Sequence, residues 1–373
     1  MNVVVDGCVF ENTHQRGIWR YFYEVLGRLA QQAQLTLWLR NRPVQPLPEG
    51  VHVARDNGRL YGRRYDPVPR LRRYWSRFWS EHSLPSGTAL FHSTYFTLCP
   101  RQGPASVVTV HDMIAERLFL TCGDWAKHDI QRKRAAIESA SLCICVSQAT
   151  ADDLVRFYPS VLDRVRVIHH GAEHLNGGPA GRGKEPPGMK SASVLFVGHR
   201  QQYKNFSLVL DAMRRPEWPS NLSLRIVGPE LTDEESALIH AYGLTQRVSC
   251  LGQLPDEGLK LEYAAACCFI FPSQLEGFGL PLLEAQANGA PVVCSDIPVF
   301  REVAGEAALF FDPRLAESLA ETVARVLEDT VSHELTEKGY ENVMRFCWDR
   351  SAEQTLAVYR EAVGEVSTLR QVK

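Results

Sequence analysis

The sequence predicts an α/β protein built from two doubly wound, Rossmann-like domains. Three observations lead there. The chain has 373 residues, more than one ordinary domain holds and enough for two. In both halves, short apolar runs that end in glycine or a polar residue alternate with amphipathic stretches, as parallel strands joined by helices do. Between the halves, Glu173 to Ser191 strings together Asn-Gly-Gly-Pro, Gly-Arg-Gly-Lys and Pro-Pro-Gly, a linker composition. The expected division is therefore residues 1–172, a linker 173–191, and a second domain from residue 192.

Composition narrows the function. An apolar share of 45% with 23% charged residues suits a water-soluble globular protein. A net charge of −2 without a domain-wide basic excess excludes a nucleic-acid partner. No apolar run reaches the length of a membrane span, and Met1 leads straight into Asn2-Val-Val-Val-Asp6, so neither a span nor a secretory leader is expected. Of ten cysteines, Cys143, Cys145, Cys267, Cys268 and Cys294 sit in apolar runs. None has zinc spacing, which points to reduced, buried thiols in a cytoplasmic protein.

Taken in order, Asn2–Val5 reads as a strand and Gly17 to Ala30 as a helix, with Ile18, Tyr21, Phe22, Val25, Leu26 and Leu29 on one stripe. Gly17 at that helix start makes a candidate phosphate or sugar site, although no G-x-G-x-x-G fingerprint is present. Gln34–Leu39 is the next strand. The segment from Arg59 to Ser80 then carries Arg59, Arg63, Arg64, Arg70, Arg72, Arg73 and Arg77 against Asp66 alone. Within it Leu71, Tyr74, Trp75, Phe78 and Trp79 fall at helical spacing. A basic helix with an aromatic face suits an anionic membrane surface, which would make the protein peripheral on the inner face of the cell membrane. The alternative is that the aromatic face packs on its own domain. Ala89–Phe91, Ser106–Val110, Leu142–Val146 and Arg166–Ile168 are further strands, with helices over Asp129–Ala140 and Gln148–Phe157. His111-Asp112 stands at the carboxyl end of one of them, where the residues of a site collect.

In the second half, Ser193–Val197 ends in Gly198, with Arg200 and Lys204 just before a helix from Phe206 to Arg214. A glycine at a strand end and two cations at a helix start suit a diphosphate. Leu222–Val227 ends in Gly228, and Arg247–Leu251 leads into Gly252-Gln-Leu254-Pro255. Helices are expected over Glu234–Tyr242, Asp256–Ala265, Ala316–Leu327, His333–Phe346 and Ser351–Val363. The densest stretch is Phe271 to Cys294. There a buried strand, Cys268–Phe271, leads through Glu276-Gly277-Phe278-Gly279-Leu280-Pro281 into a helix that carries Glu284 and stops at Gly289. Loop glycines admit a ligand close to the backbone, and the helix start offers its positive dipole end. Glu276 enters the loop before the helix, and Glu284, one turn in, can accept a pair of hydrogen bonds from a diol such as a ribose.

Glu276-Gly-Phe-Gly-Leu-Pro-Leu-Leu-Glu284 resembles the E-x7-E signature of retaining glycosyltransferases of family GT4, whose fold is GT-B. Pro291-Val-Val-Cys-Ser-Asp-Ile-Pro, Ala307-Ala-Leu-Phe-Phe-Asp-Pro313, Thr109-Val-His-Asp112, Val146-Ser-Gln-Ala-Thr and Val197-Gly-His-Arg-Gln-Gln-Tyr-Lys-Asn205 resemble the family too. So does Gly17-Ile-Trp-Arg-Tyr21, with Trp19 where a glycine is usual. The resemblance implies two domains facing across a cleft, the first binding acceptor and the second, 192–347, the nucleotide sugar. Phe346-Cys-Trp-Asp resembles the family's tail and implies that residues 348–373 pack back on the first domain. It implies transfer of a hexose from a nucleotide diphosphate sugar to an acceptor hydroxyl, with retention and without a metal or other cofactor. In these roles Arg200, Lys204 and the helix start at Leu280 hold the diphosphate, and Glu284 holds the ribose. Glu276 and the backbone of Gly277, Phe278 and Gly279 hold the sugar, Gly198, Gly228 and Leu254 wall the nucleotide, and His111 and Gly17 complete the site. The sequence flavour further resembles bacterial mannosyltransferases of lipopolysaccharide and exopolysaccharide synthesis, implying GDP-mannose and a glycan or lipid-linked acceptor. A UDP-sugar donor, a GT-B sugar-nucleotide epimerase and a catalytically silent nucleotide-sugar binder are the alternatives.

Overall fold

A computed structural model gives the fold and describes residues 1–12, 16–55, 84–118, 124–173 and 191–371. The chain divides into two compact units, Met1–His170 with Trp348–Lys373, and Gly171–Cys347. The basic aromatic segment 59–80 and nearly all of the linker, 174–190, lie outside the described residues.

The first unit runs β1 (Asn2–Asp6), α1 (Arg16–Leu29), β2 (Gln34–Leu39), β3 (His52–Arg55), β4 (Leu90–Ser93), β5 (Ala105–Val110), α2 (Ile114–Arg117), α3 (Asp124–Ser139), β6 (Leu142–Cys145), α4 (Gln148–Phe157) and β7 (Val165–Val167). Its strands are parallel in the order β3-β2-β1-β4-β5-β6-β7. Val3, Val4 and Val5 are all buried, as a central strand covered on both faces requires. The chain winds outward in opposite directions from β1 and β4, so their carboxyl ends flank the switch point where α/β sheets place ligands.

The second unit runs β8 (Ser191–Val197), α5 (Phe206–Ala212), β9 (Ser223–Val227), α6 (Asp233–Ala241), β10 (Val248–Cys250), α7 (Asp256–Ala265), β11 (Ala266–Phe271), α8 (Leu280–Ala287), β12 (Val292–Ser295), α9 (Pro298–Ala304), β13 (Leu309–Phe311), α10 (Ala316–Val326) and α11 (Asp329–Val343). Its strands are parallel in the order β10-β9-β8-β11-β12-β13, with the switch between β8 and β11. The last helix, α12 (Trp348–Gln371), belongs to the first unit and packs along α1 and β5. There the Arg28 Nε of α1 donates to Asp349 at 2.6 Å, and Tyr359 meets the His92 imidazole at 2.6 Å.

Several sequence expectations shift. β4 includes His92 and Ser93, because the His92 imidazole nitrogens bond Tyr359 and Thr109 and can be buried. α8 opens at Leu280 as expected, but Pro281 is its second residue and not its first, where a missing N–H still costs nothing. α3 begins at Asp124, α11 at Asp329 and α12 at Trp348, each earlier than the apolar pattern marks. β3, α9 and β13 carried no strong signal; β3 is an edge strand whose His52 and Val53 are exposed. All cysteines among the described residues are free thiols; Cys143, Cys145, Cys268 and Cys294 are buried and Cys267 is half-buried. Among the described residues, no helix is long and apolar enough to cross a membrane.

Candidate functional site

The site in the second unit grows from the two strands at its switch point. β8 ends at Val197, and Gly198 follows with φ +125°, a value that side chains rarely adopt. Its N–H continues the ladder to Val227 O at 2.8 Å. Gly228, at the end of neighbouring β9, is a glycine for want of space. A Cβ there would lie 2.3 Å from Gly198 O and 3.6 Å from Arg200 Nη1. The two glycines let the strand ends close together.

Arg200 leaves this floor with its side chain only 4% exposed. Its Nε donates to Glu235 Oε1 at 2.8 Å, and Nη2 donates to Pro229 O and Glu230 O at 2.9 and 2.7 Å. Nη1 is buried without a hydrogen-bond partner. The sequence expects Arg200 to set its cation against a diphosphate; the structure gives most of its donors to Glu235 of α6 and to the loop after β9 and leaves that one nitrogen.

Lys204 ends a single 3-10 turn, Gln202–Lys204, before α5. Its ammonium meets Glu276 Oε1 at 2.5 Å, with the two side chains 20% and 11% exposed. The loops that carry them are tied by Gln274 N–H donating to Tyr203 O at 2.8 Å. Residues 72 apart in sequence thus become neighbours because β8 and β11 are.

The loop after β11 turns into α8 through Gly279, at φ +98°. A Cβ at Gly279 would sit 3.0 Å from the Phe300 ring and 3.4 Å from Phe271, rigid neighbours that cannot yield. Gly277 and Phe278 are buried beside it, and Phe278 meets Phe346 edge-on at 5.8 Å. α8 is anchored by its buried face: Gln286 donates to Ala307 O at 2.9 Å and accepts from Asn342 at 2.8 Å. Glu284 rises from the other side, and the Tyr263 hydroxyl of α7 donates to its Oε2 at 3.1 Å. Burial and then the Glu284 charge hold the Tyr263 phenol well above its ordinary pKa, so it stays a donor. Leu254 is half-buried in the loop before α7, and a Cβ built on Gly258 would lie 3.5 Å from the Leu254 Cβ.

In the first unit, His111 follows β5 and is buried against Tyr21 and Phe22. Its imidazole bonds the Thr94 backbone, and its Nε2 is buried without a hydrogen-bond partner. Burial pulls its pKa down to about 4, so the ring is neutral at pH 7. Asp112 lies 3.7 Å from the Lys133 ammonium, which pairs at 2.8 Å with buried Glu116. Gly17 is exposed, second in α1, and a Cβ there would meet no atom within 4 Å, so room alone does not dictate a glycine. Trp19 is buried and donates its indole N–H to Pro46 O at 3.1 Å, a structural role.

The structure thus brings together Gly198, Gly228 and Arg200, and likewise Lys204 with Glu276. Sequence reasoning missed Glu235, Tyr263, Lys133 and Glu116. The Thr232-x-x-Glu235 spacing is a legible capping box, but nothing local points Glu235 at Arg200. A separate concavity of about 450 Å³ lies where α5 and α6 end, lined by Arg214, Trp218, Tyr242 and Arg247 among others. Arg247 there serves the carbonyls of Met213, Pro219 and Leu222, a structural role away from the strand carboxyl ends.

The family model for glycosyl transferases group 1 matches residues 180–343, and that for glycosyltransferase family 4 matches residues 15–174. The chain is 25% identical over 381 residues to O-antigen chain mannosyltransferase B of Escherichia coli, covering 92% of this chain and 96% of that one. It is 30% identical over 275 residues to the serotype-specific mannosyltransferase WbdA of Escherichia coli, covering 67% of this chain but only 33% of that protein. Among solved structures, sucrose-phosphate synthase from Thermosynechococcus elongatus superposes with a TM-score of 0.75 at 20% identity, over 98% of this chain and 100% of that one.

Proposed function

Because the chain belongs to glycosyltransferase family 4 and is a glycosyltransferase of the GT-B fold, we propose that it moves mannose from GDP-mannose to a hydroxyl of a glycan or lipid-linked acceptor. The transfer retains the anomeric configuration and needs no metal. The product class is surface polysaccharide, O-antigen above all. The observation that carries the reading is the pairing of Lys204 with Glu276 beside the N-terminus of α8, at the switch point of the second sheet. Similarity to an O-antigen mannosyltransferase along almost the whole of both chains supports the sugar.

Each residue then has a task. A diphosphate entering the switch point is drawn to the α8 N-terminus and to Lys204, and takes Lys204 from Glu276. Glu276, released, accepts from hydroxyls of the sugar. Glu284, oriented by Tyr263, accepts from the ribose. As the bond from the anomeric carbon to the diphosphate oxygen breaks, its electron pair goes to that oxygen, where the cations and the helix end stabilise it. The acceptor oxygen bonds the same face of the carbon and passes its proton to the leaving phosphate. His111, neutral at pH 7, serves as a hydrogen-bonding group rather than a charge. The arginines and aromatic stripe of 59–80 support an acceptor presented at an anionic membrane surface.

The test is a donor panel with a lipid-linked glycan acceptor, reading nucleotide release and the anomeric proton of the product by NMR. GDP-mannose should be consumed, with an α product from the α donor. Preference for a UDP-sugar overturns the donor assignment, and an inverted product overturns retention.

A further inference from the structure

We infer that Glu235 is a positioning residue for the donor's diphosphate, acting through Arg200; this rests on the reading of Arg200 as a phosphate contact. Glu235 divides its carboxylate between two tasks. Its Oε2 accepts from Thr232 N–H at 2.9 Å, and Thr232 Oγ1 accepts from Glu235 N–H at 3.2 Å, which closes the capping box of α6. Its Oε1 accepts from Arg200 Nε at 2.8 Å. The guanidinium is thereby bolted to the start of a helix, while Pro229 O and Glu230 O hold its Nη2.

What remains is Nη1, buried, without a partner and 3.6 Å from where a Cβ at Gly228 would be. A buried cationic N–H without an acceptor is costly, and proteins keep such groups where something is to be bound. The acceptors behind the guanidinium fix its plane, so the two N–H bonds of Nη1 have set directions. Nη1 lies beside Gly228 at the carboxyl ends of β8 and β9, the side of a parallel sheet on which the residues of a site collect. Glu235 sits 35 residues away from Arg200, and the role inferred for it runs through the guanidinium alone.

The experiment measures affinity for GDP and for GMP by titration calorimetry. The contact is assigned to the terminal phosphate, which GMP lacks, so a general loosening of the unit would weaken both alike. Arg200→Ala and Glu235→Ala should each lower GDP affinity about tenfold, the scale of one charge-assisted hydrogen bond, and leave GMP unchanged. Glu235→Ala placed in the Arg200→Ala background should lower it no further. Thr232→Ala, which removes the hydroxyl half of the cap, should bind GDP like the wild type. Glu235→Gln keeps the side chain's shape and gives the same readout should the alanine variant not fold. Wild-type GDP affinity in both Glu235 variants, with Arg200→Ala impaired, makes Glu235 a helix cap only and overturns the inference. Equal losses for GDP and GMP, or additive losses in the double variant, overturn it too. Wild-type affinity in Arg200→Ala refutes instead the reading of Arg200 on which it stands.

Discussion

Replacing Glu276 with Gln should move two properties of the enzyme in opposite directions. In the free protein Glu276 Oε1 holds the Lys204 ammonium at 2.5 Å, with one fifth of the lysine side chain exposed and less of the glutamate. A fully exposed pair contributes about 0–1 kcal/mol. In a buried pair, losing one partner costs about 3–5 kcal/mol. A partly screened pair lies toward the lower class, so the contact that a diphosphate must displace from Lys204 is worth about 1 kcal/mol, a factor of about five in affinity. Glutamine keeps the shape and removes the charge. GDP should therefore bind Glu276→Gln about fivefold more tightly than wild type, and the gain should shrink as salt rises. Turnover of GDP-mannose should fall at least a hundredfold, because the sugar loses its carboxylate grip. Calorimetry with GDP and a nucleotide-release assay read the two. If GDP affinity falls in step with turnover, the diphosphate does not compete with Glu276 for Lys204, and the assigned division of labour is wrong.

Three further outcomes are expected. Tyr263→Phe removes the donor to Glu284 Oε2 and should weaken GDP several-fold while leaving 2′,3′-dideoxy-GDP unaffected; equal weakening of both makes Tyr263 a packing residue only. Burial depresses the His92 pKa to about 3 and that of His111 to about 4, from an ordinary 6.5. Between those values and 6.5 the unfolded chain binds protons that the folded one does not, so the stability of the first unit is full above about pH 6.5 and lost as pH falls. Denaturant unfolding at pH 7 and pH 5 should show a loss of about 2 kcal/mol per histidine, and His92→Asn should lose less over that interval than wild type. For the basic segment, Trp75→Glu with Trp79→Glu should abolish sedimentation with anionic liposomes, and failure of the wild type to sediment removes the membrane reading.

Much of this protein is written in short stretches of its sequence. Strand, glycine and helix follow one another within about twenty residues, and the signals act between near neighbours. Val3, Val4 and Val5 are apolar because a central parallel strand is covered on both faces. The glycines at 198 and 279 answer backbone angles, and the Thr232–Glu235 spacing answers a helix end. The elements lost to sequence reasoning were those with weak patterns, such as edge strand β3 with its exposed His52 and Val53. What no window of sequence holds is which loop meets which. The order β10-β9-β8-β11 sets Lys204 against Glu276, brings Gly228 onto Gly198 and turns Arg200 toward Glu235. These pairings span 30 to 72 residues. Sequence alone thus determined that Glu276, the two cations and their glycines belong to loops at strand ends, with Glu284 one turn into the helix that follows. The tertiary structure decided that Lys204 is already paired and that Arg200 has only its Nη1 to spare, because hydrogen bonds and ion pairs depend on ångström-scale distances that only the assembled sheet sets.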